Sequence, residues 1–93
     1  TEFGAEAVLG LHGSNALTEE EQASIIKDHW EVLQEYRSFV AGAIIWSLAD
    51  YWHMPMGTDF RGVSRCFFCH GMLSLDRKPK AAVEQVTRLF GSA

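Results

Sequence analysis

The sequence has 93 residues, of which 47% are hydrophobic, 22% charged and 12% aromatic, and this is a globular composition. A chain of this length holds at most one domain with a modest core. The formal net charge is −4, the positive charges are scattered, and no apolar run approaches the roughly 20 residues of a membrane-spanning helix. We therefore expect neither nucleic acid nor a membrane as a partner.

The chain opens on a threonine, with neither a methionine nor a basic leader before TEFGAEAVLGLHG. We therefore expect a piece of a longer protein, in which the missing leader carries no information. Its two cysteines, three positions apart, cannot form a disulfide framework and indicate a reduced compartment or a local site.

The first predicted element is a helix. Residues 1–16 are rich in glycine and predict a loop, after which Thr18 and Glu21 have the spacing of a capping box. Apolar and aromatic side chains then recur at helical spacing, as Ile25, Ile26, His29, Trp30, Leu33 and Tyr36. The pattern predicts an amphipathic helix over residues 19–37 whose apolar stripe packs inside the protein.

The next predicted element is a strand. Residues 41–46 form a short apolar run, which is typical of a strand buried on both faces in a parallel sheet. Residues 51–62 predict a long loop, and residues 63–75 are expected to be partly extended. Pro79 suits the first position of a second helix, which carries an apolar stripe and ends at Gly91.

This order of elements leaves a buried strand with nothing to pair with in the chain. We therefore expect a part of a larger α/β fold, and the succession of helix, buried strand and long loop is what a βα barrel supplies.

The segment RCFFCHGM contains Cys66, Cys69 and His70 in the C-x-x-C-H pattern that attaches a c-type haem. A haem-binding electron carrier is therefore one hypothesis, although the flanking residues favour extended structure and the buried strand does not suit a helical bundle. A zinc site is weaker, because adjacent Cys69 and His70 do not easily chelate one ion and no second Cys/His pair completes it. The simplest interpretation is that both cysteines are small apolar packing residues.

Five collinear motifs connect the chain to a known family. TEFG, GLH, TEEEQ, IWSLADY and LDRKPKAA, which lie within residues 1–82, resemble glycoside hydrolase family 2, with similarity to β-glucuronidases and β-galactosidases. The resemblance implies that residues 1–93 are the C-terminal part of a catalytic (β/α)₈ barrel of the TIM type. The chain would supply the end of strand seven, helix seven, strand eight and helix eight, so that the remainder of the barrel is its partner.

By this resemblance Glu2 is the nucleophile of a retaining β-glycosidase, and the carbohydrate substrate forms a glycosyl ester with it. The acid/base carboxylate, expected in an Asn-Glu pair on an earlier strand, is not in the chain, so the chain alone should be inactive. Two carboxylates suffice for this chemistry, and no metal or organic cofactor is expected. A non-catalytic helical module is the remaining alternative.

The resemblance also suggests residues that contact the sugar. Trp46 is expected to stack against a sugar ring, and the next residue, Ser47, stands where relatives often carry Asn. Asp50 is placed to bind a hydroxyl or to brace the site, with bracing favoured. His12 and Trp52 lie close enough in sequence to shape the pocket, and both also suit structural roles.

Counting back from DRKPK, Phe68, Cys69 and His70 occupy the positions of an Asn-x-Lys element that reads the substrate carboxylate in the glucuronidase branch. The lysine is replaced by His70, so a neutral sugar such as galactose becomes the favoured substrate. His70 could still meet an acid group if it were cationic, so a β-galactoside and a β-glucuronide both remain open. The RKPK segment that follows is expected to be solvated.

Overall fold

The computed structural model describes residues 2–52 and 67–91, without the side chain of residue 67. Its elements in chain order are β1 (Glu2–Phe3), α1 (Glu19–Glu35), β2 (Ile44–Ile45), β3 (Tyr51–Trp52), β4 (Phe67–Phe68) and α2 (Ala81–Gly91). Within these described residues, neither helix is both long and apolar enough to span a membrane.

Helix α1 begins where the capping residue predicts. Thr18 is extended, with φ −81° and ψ 153°, and its hydroxyl accepts a hydrogen bond from the Glu21 amide at 3.2 Å. This bond satisfies one of the amides that have no partner within the helix. The helix ends at Glu35, two residues before the predicted end.

The predicted strand is observed as β2, and it has a partner. Ile44 and Ile45 pair in parallel with Glu2 and Phe3, and the Trp46 amide donates to the Phe3 carbonyl oxygen at 2.8 Å. The expectation that this strand lacks a partner in the chain is therefore wrong, because β1 lies beside it.

Only one face of this two-stranded sheet is covered by the chain. Phe3 and Ile45 pack against the core, whereas Ile44, on the opposite face, is 62% exposed. Successive side chains of a strand alternate between faces, so Glu2 and Trp46 lie on the same side as Ile44. Burial of this strand on both faces stays a prediction for the larger fold, because the chain itself covers one face only.

The apolar core lies between the two helices and the covered face of this sheet. Its buried members are Ile26 from α1 and Ala82 and Val86 from α2. The rings of Trp30 and Phe90 extend the helix contact, with centroids 4.8 Å apart. Ile26, Ala82 and Val86 of the predicted stripes therefore pack inward, as predicted. The other end of each stripe does not, because Tyr36 and Phe90 are 50% and 43% exposed.

Beyond β2 the chain forms a small antiparallel pair, in which Tyr51 lies opposite Phe68 and Trp52 opposite Phe67. Strand β4 agrees with the extended structure predicted over residues 63–75. The predicted loop is wrong at its first two residues, which form β3, and the rest of it, residues 53–62, lies outside the described part. Helix α2 starts at Ala81 rather than Pro79, because Pro79 forms a bridge with Leu73.

Candidate functional site

The candidate site lies on the uncovered face of the parallel sheet. Glu2 is exposed on β1, and Trp46, which follows β2 directly, is 45% exposed on the same side. The indole Nε1 of Trp46 donates to the Tyr51 hydroxyl at 3.0 Å, and the peptide bond between Trp46 and Ser47 is cis. The fold thus places one sequence-predicted site residue on β1 and another directly after the neighbouring strand β2.

A row of four rings continues from Trp46. We call Trp46, Tyr51, Phe68 and His70 the aromatic row. The Trp46 and Tyr51 rings meet edge to face at 6.0 Å, Tyr51 stacks on Phe68 at 5.3 Å, and the Phe68 and His70 centroids are 6.3 Å apart. Such a row offers apolar ring faces together with indole, hydroxyl and imidazole groups, which suits the mixed surface of a sugar.

The backbone holds His70 beside the end of β2. The Ser47 amide donates to the His70 carbonyl oxygen at 3.1 Å, and the Met72 amide donates to the Ser47 carbonyl oxygen at 3.0 Å. The imidazole Nδ1 of His70 is buried and has no hydrogen-bond partner among the described residues. His70 and Trp46 are therefore held close together although 24 positions separate them.

Asp50 is buried and is held by contacts within the chain. Its side chain is 5% exposed, and Oδ1 accepts from the Gly71 amide at 2.8 Å and from Lys80 Nζ at 2.7 Å. Both contacts are internal to the chain, as the predicted bracing role requires. A contact between Asp50 and a sugar hydroxyl stays a prediction.

The partner of Asp50 corrects one sequence expectation. Lys80 belongs to the RKPK segment expected to be solvated, but its side chain is 0% exposed. Besides Asp50, Nζ donates to the carbonyl oxygens of Ala7 at 2.7 Å and Cys69 at 3.3 Å. A buried ammonium needs a counter-charge and hydrogen-bond acceptors, and this site provides both.

His12 contacts the start of α1. Its Nδ1 lies 2.8 Å from Glu20 Oε2, and its Nε2 lies 3.5 Å from Glu19 Oε2. The hydrogen bond with Glu20 raises the pKa of His12 above its usual value, and the same bond lowers the pKa of Glu20. These contacts are structural, and a contact of His12 with substrate stays a prediction.

Trp52 lies on β3, where the alternation of side chains turns it away from Tyr51 and the aromatic row. It is 64% exposed. A contact between Trp52 and substrate therefore stays a prediction, and the described face of the aromatic row does not include it.

Cys69 is buried, and its thiol donates to Glu6 Oε2 at 3.3 Å. Burial, followed by this hydrogen bond, raises the pKa of Cys69 to about 11. The side chain therefore behaves as a small packing group, as the simplest interpretation of the motif holds. Cys66, the other cysteine of the haem hypothesis, lies outside the described residues, and the described residues contain no cluster of three metal-binding side chains.

Comparisons with known proteins show what this chain is similar to. No protein-family model matches the chain. The β-glucuronidase of Chlorocebus aethiops is 34% identical over 85 residues, and that of Homo sapiens is 33% identical over the same length. The solved structure of a β-D-glucuronidase from Dictyoglomus thermophilum superimposes with a TM-score of 0.82 at 29% identity, covering 99% of this chain. Over most of its length the chain is therefore similar to β-glucuronidases, a similarity that the sequence analysis had assigned to glycoside hydrolase family 2.

A second family 2 structure extends the comparison. A β-galacturonidase from Eisenbergiella tayi, solved with galacturonate bound, superimposes with a TM-score of 0.81 at 27% identity over 100% of this chain. The chain spans 12% of the length of the two curated relatives and 15% and 16% of the two solved structures.

The described site combines residues that the sequence analysis predicted with residues that it did not. Among the predicted residues, Trp46 and His70 lie beside the end of β2, Asp50 is hydrogen-bonded to Gly71 next to His70, and Glu2 lies on β1. Tyr51, Lys80 and Gln22 were not singled out by the sequence analysis. All three stand inside quoted motifs, Tyr51 in IWSLADY, Lys80 in LDRKPKAA and Gln22 in TEEEQ, but no local signal marks Lys80 or Gln22 as buried.

Proposed function

We propose that the chain is part of an enzyme that hydrolyses terminal β-linked glycosides of hexuronic acids with retention of configuration. The observation that carries the proposal is the parallel pairing of β1 with β2, which brings Glu2 and Trp46 to one uncovered face. The names of the family 2 relatives, β-glucuronidase and β-galacturonidase, support a uronide as the substrate.

We further propose that residues 1–93 are the C-terminal part of a (β/α)₈ barrel. In this arrangement β1 is the end of strand seven, α1 is helix seven, β2 belongs to strand eight, and α2 is helix eight. The uncovered face of β1 and β2 would then line the barrel interior, which supports the placement because Ile44 is 62% exposed without its neighbours. The remainder of the barrel is thus the partner of this chain.

Glu2 is the nucleophile in this proposal. Its carboxylate attacks the anomeric carbon, and the bond from that carbon to the leaving oxygen breaks while an acid elsewhere in the barrel protonates this oxygen. Water then attacks the glycosyl ester, the same acid residue now acts as the base, and the free carboxylate returns. The exposed position of Glu2 on the uncovered face makes such an attack sterically feasible.

The aromatic row forms one wall of the sugar site. Trp46 stacks on a ring face, Tyr51 holds the indole by its hydrogen bond, and His70 offers a nitrogen at the end of the row. The side chains of Phe68 and Cys69 supply neither the amide group of an asparagine nor the positive charge of a lysine. His70 is therefore the described residue in this triplet that we propose contacts the uronate carboxylate.

Replacement of Glu2 tests the mechanism. We expect Glu2→Gln in the complete enzyme to reduce kcat on the order of 10⁴-fold or more, because losing a covalent nucleophile removes the first chemical step. Steady-state turnover of a nitrophenyl β-glucuronide measures the loss, with Glu35→Gln, at the exposed end of α1, as the matched control. Full activity of Glu2→Gln would refute the assignment.

A substrate panel tests the sugar class. Nitrophenyl β-glucuronide, β-galacturonide and β-galactoside should separate by kcat/KM, with both uronides ahead of the neutral sugar. A preference for the galactoside would instead restore the neutral-sugar hypothesis drawn from Phe68 and His70.

A further inference from the structure

We propose that Gln22 and Lys80 are positioning residues that hold the backbone stretch after Glu2 against the backbone stretch that contains His70. The first stretch, residues 5–7, is called the nucleophile-side segment, and the second, residues 69–71, is called the His70 segment. The inference rests on the proposed function, because it assigns these two side chains a task in the same glycosidase site.

The two segments lie side by side in opposite directions. The Ala7 amide donates to the Cys69 carbonyl oxygen at 2.9 Å. Ala5 lies two positions before Ala7, and Gly71 lies two positions after Cys69. The carbonyl oxygens of Ala5 and Gly71 both accept a hydrogen bond from the side chain of Gln22, as expected for antiparallel segments.

Two buried side chains donate hydrogen bonds to this contact, one from α1 and one from the residue just before α2. Gln22 Nε2, from α1, lies 3.0 Å from the carbonyl oxygens of both Ala5 and Gly71. Lys80 Nζ, just before α2, lies 2.7 Å from the Ala7 carbonyl oxygen and 3.3 Å from that of Cys69. Gln22 therefore spans one pair of residues across the two segments, and Lys80 spans the other.

Both donors are buried, so the loss of either one would be costly. Gln22 is 0% exposed and Lys80 is 2% exposed. Water cannot readily replace a lost donor at such positions, so the carbonyl oxygens would be left buried and unsatisfied. The segments consequently have one favoured register, and slippage between them breaks several bonds at once.

The His70 segment is also fixed from its other side. A Cβ placed on Gly71 would lie 2.1 Å from the Asp50 backbone nitrogen, so only glycine permits this approach. The Asp50 carboxylate, held by Lys80, accepts from the Gly71 amide. His70 thus stands between two residues whose backbones are each held by buried side chains.

The consequence for catalysis is geometric. Glu2 lies three residues before Ala5, and His70 lies inside the other segment, so the two donors set the separation between the nucleophile and one wall of the sugar site. A displacement of about 1 Å in such a site can cost about 10²-fold in rate. Neither donor needs to touch the substrate to have this effect.

The test uses Gln22→Met and Lys80→Met in the complete enzyme, since methionine keeps much of the length and removes the donors. We expect kcat/KM for a nitrophenyl β-glucuronide to fall about 10²-fold at temperatures well below unfolding. We expect the loss to appear in kcat as well as KM, because the nucleophile is misplaced in the transition state. If Lys80→Met does not fold, Gln22→Met carries the test alone.

Two control variants separate positioning from stability. Lys78→Met removes an exposed lysine two positions away, and Val86→Ala opens a cavity in the apolar core without removing a hydrogen-bond donor to either segment. Val86→Ala should lower Tm and leave kcat/KM near that of the wild type. Equal losses of kcat/KM in Val86→Ala and Gln22→Met at matched stability would overturn the proposal.

Hydrogen exchange followed by mass spectrometry gives a readout that needs no turnover. Gln22→Met should accelerate exchange in peptides covering both the nucleophile-side segment and the His70 segment, whereas Val86→Ala should not. Unchanged exchange in either segment would overturn the proposal that Gln22 holds the two segments together. If the wild-type enzyme cleaves no β-glycoside, the proposed function fails, and the exchange result still decides whether Gln22 and Lys80 hold the segments together.

Discussion

His12 shows how a single side chain can join a loop to a helix. The loop before α1 is tied down by the His12 ring on Glu20 and by the Gly13 amide, which donates to the same carboxylate at 2.8 Å. The pKa of His12 is raised above its usual 6.5 and that of Glu20 is lowered below its usual 4.5. The imidazolium contribution is complete below pH 6.5 and is lost as the pH rises through the raised value, whereas the carboxylate contribution is complete above pH 4.5 and is lost as the pH falls through the lowered value.

A titration of His12 checks this pairing. We expect the NMR midpoint of the His12 ring to lie above 6.5 in the wild-type protein and to fall towards 6.5 in Glu20→Gln, because the strongest hydrogen bond to the imidazolium is weakened. The matched control is Glu21→Gln, one position further along the helix. An equal shift in both variants would mean that general charge, rather than the bond to Glu20, sets the midpoint.

At the scale of single residues, the sequence predicted which side chains carry chemistry better than it predicted which side chains are buried. Glu2, Trp46 and Asp50 could be nominated because each stands in a recognisable motif. Lys80 also stands in a motif, LDRKPKAA, but its burial could not be predicted, because a lysine beside Arg77, Lys78 and Pro79 has the pattern of a solvated segment. Its burial depends on Asp50 and Ala7, which lie far from it in sequence and meet it only in the folded chain.

At the scale of elements, Glu19 joins the two helices. It is the first residue of α1 and is 5% exposed, and its carboxylate accepts from the Ala81 amide at 2.6 Å and from the Gly10 amide at 2.8 Å. Ala81 is the first residue of α2, so the acid of one helix caps the other. Two helix N-termini therefore share one negative charge, which their dipoles favour.

Removal of this carboxylate should loosen the start of α2. We expect Glu19→Ala to lower the free energy of local opening by about 1–3 kcal/mol, because two amides lose their acceptor. Hydrogen exchange at Ala81, measured against Glu21→Ala, checks the value. Equal protection of Ala81 in both variants would show that α2 is held by packing rather than by this cap.

The elements themselves were unevenly predictable. Helix α1 could be placed because a capping residue and a sustained apolar period are local signals. The strands were harder, since β1 to β4 have two residues each and no period can be counted over so short a run. Strand β1 in particular gains its identity from pairing with β2, which is information that lies 42 positions away.

At the scale of the whole molecule, the chain presents a large uncovered apolar surface. Phe39, Ile44, Leu48 and Trp52 are 76%, 62%, 67% and 64% exposed. Apolar side chains exposed together mark surfaces that other protein covers. In the proposed barrel, the preceding strands and helices would cover the face that includes Ile44.

Ile44→Lys tests this placement. In the isolated chain we expect improved solubility, because a charge replaces an exposed apolar group. In the complete enzyme we expect a severe loss of soluble protein, because an unpaired charge inside a barrel costs several kcal/mol. Thr87→Lys, on the exposed side of α2, is the control that both forms should tolerate. Equal tolerance of Ile44→Lys in both forms would contradict the barrel.

The bond between Lys80 and the Ala7 carbonyl oxygen also has a consequence for folding kinetics. It joins residues 73 positions apart, and Gln22 reaches Gly71 across 49 positions. Closing a loop of that length costs about 4 kcal/mol of chain entropy, whereas α1 needs only local contacts. During synthesis Ala7 and Gln22 therefore emerge well before Gly71 and Lys80, and these hydrogen bonds form only after residue 80 has left the ribosome.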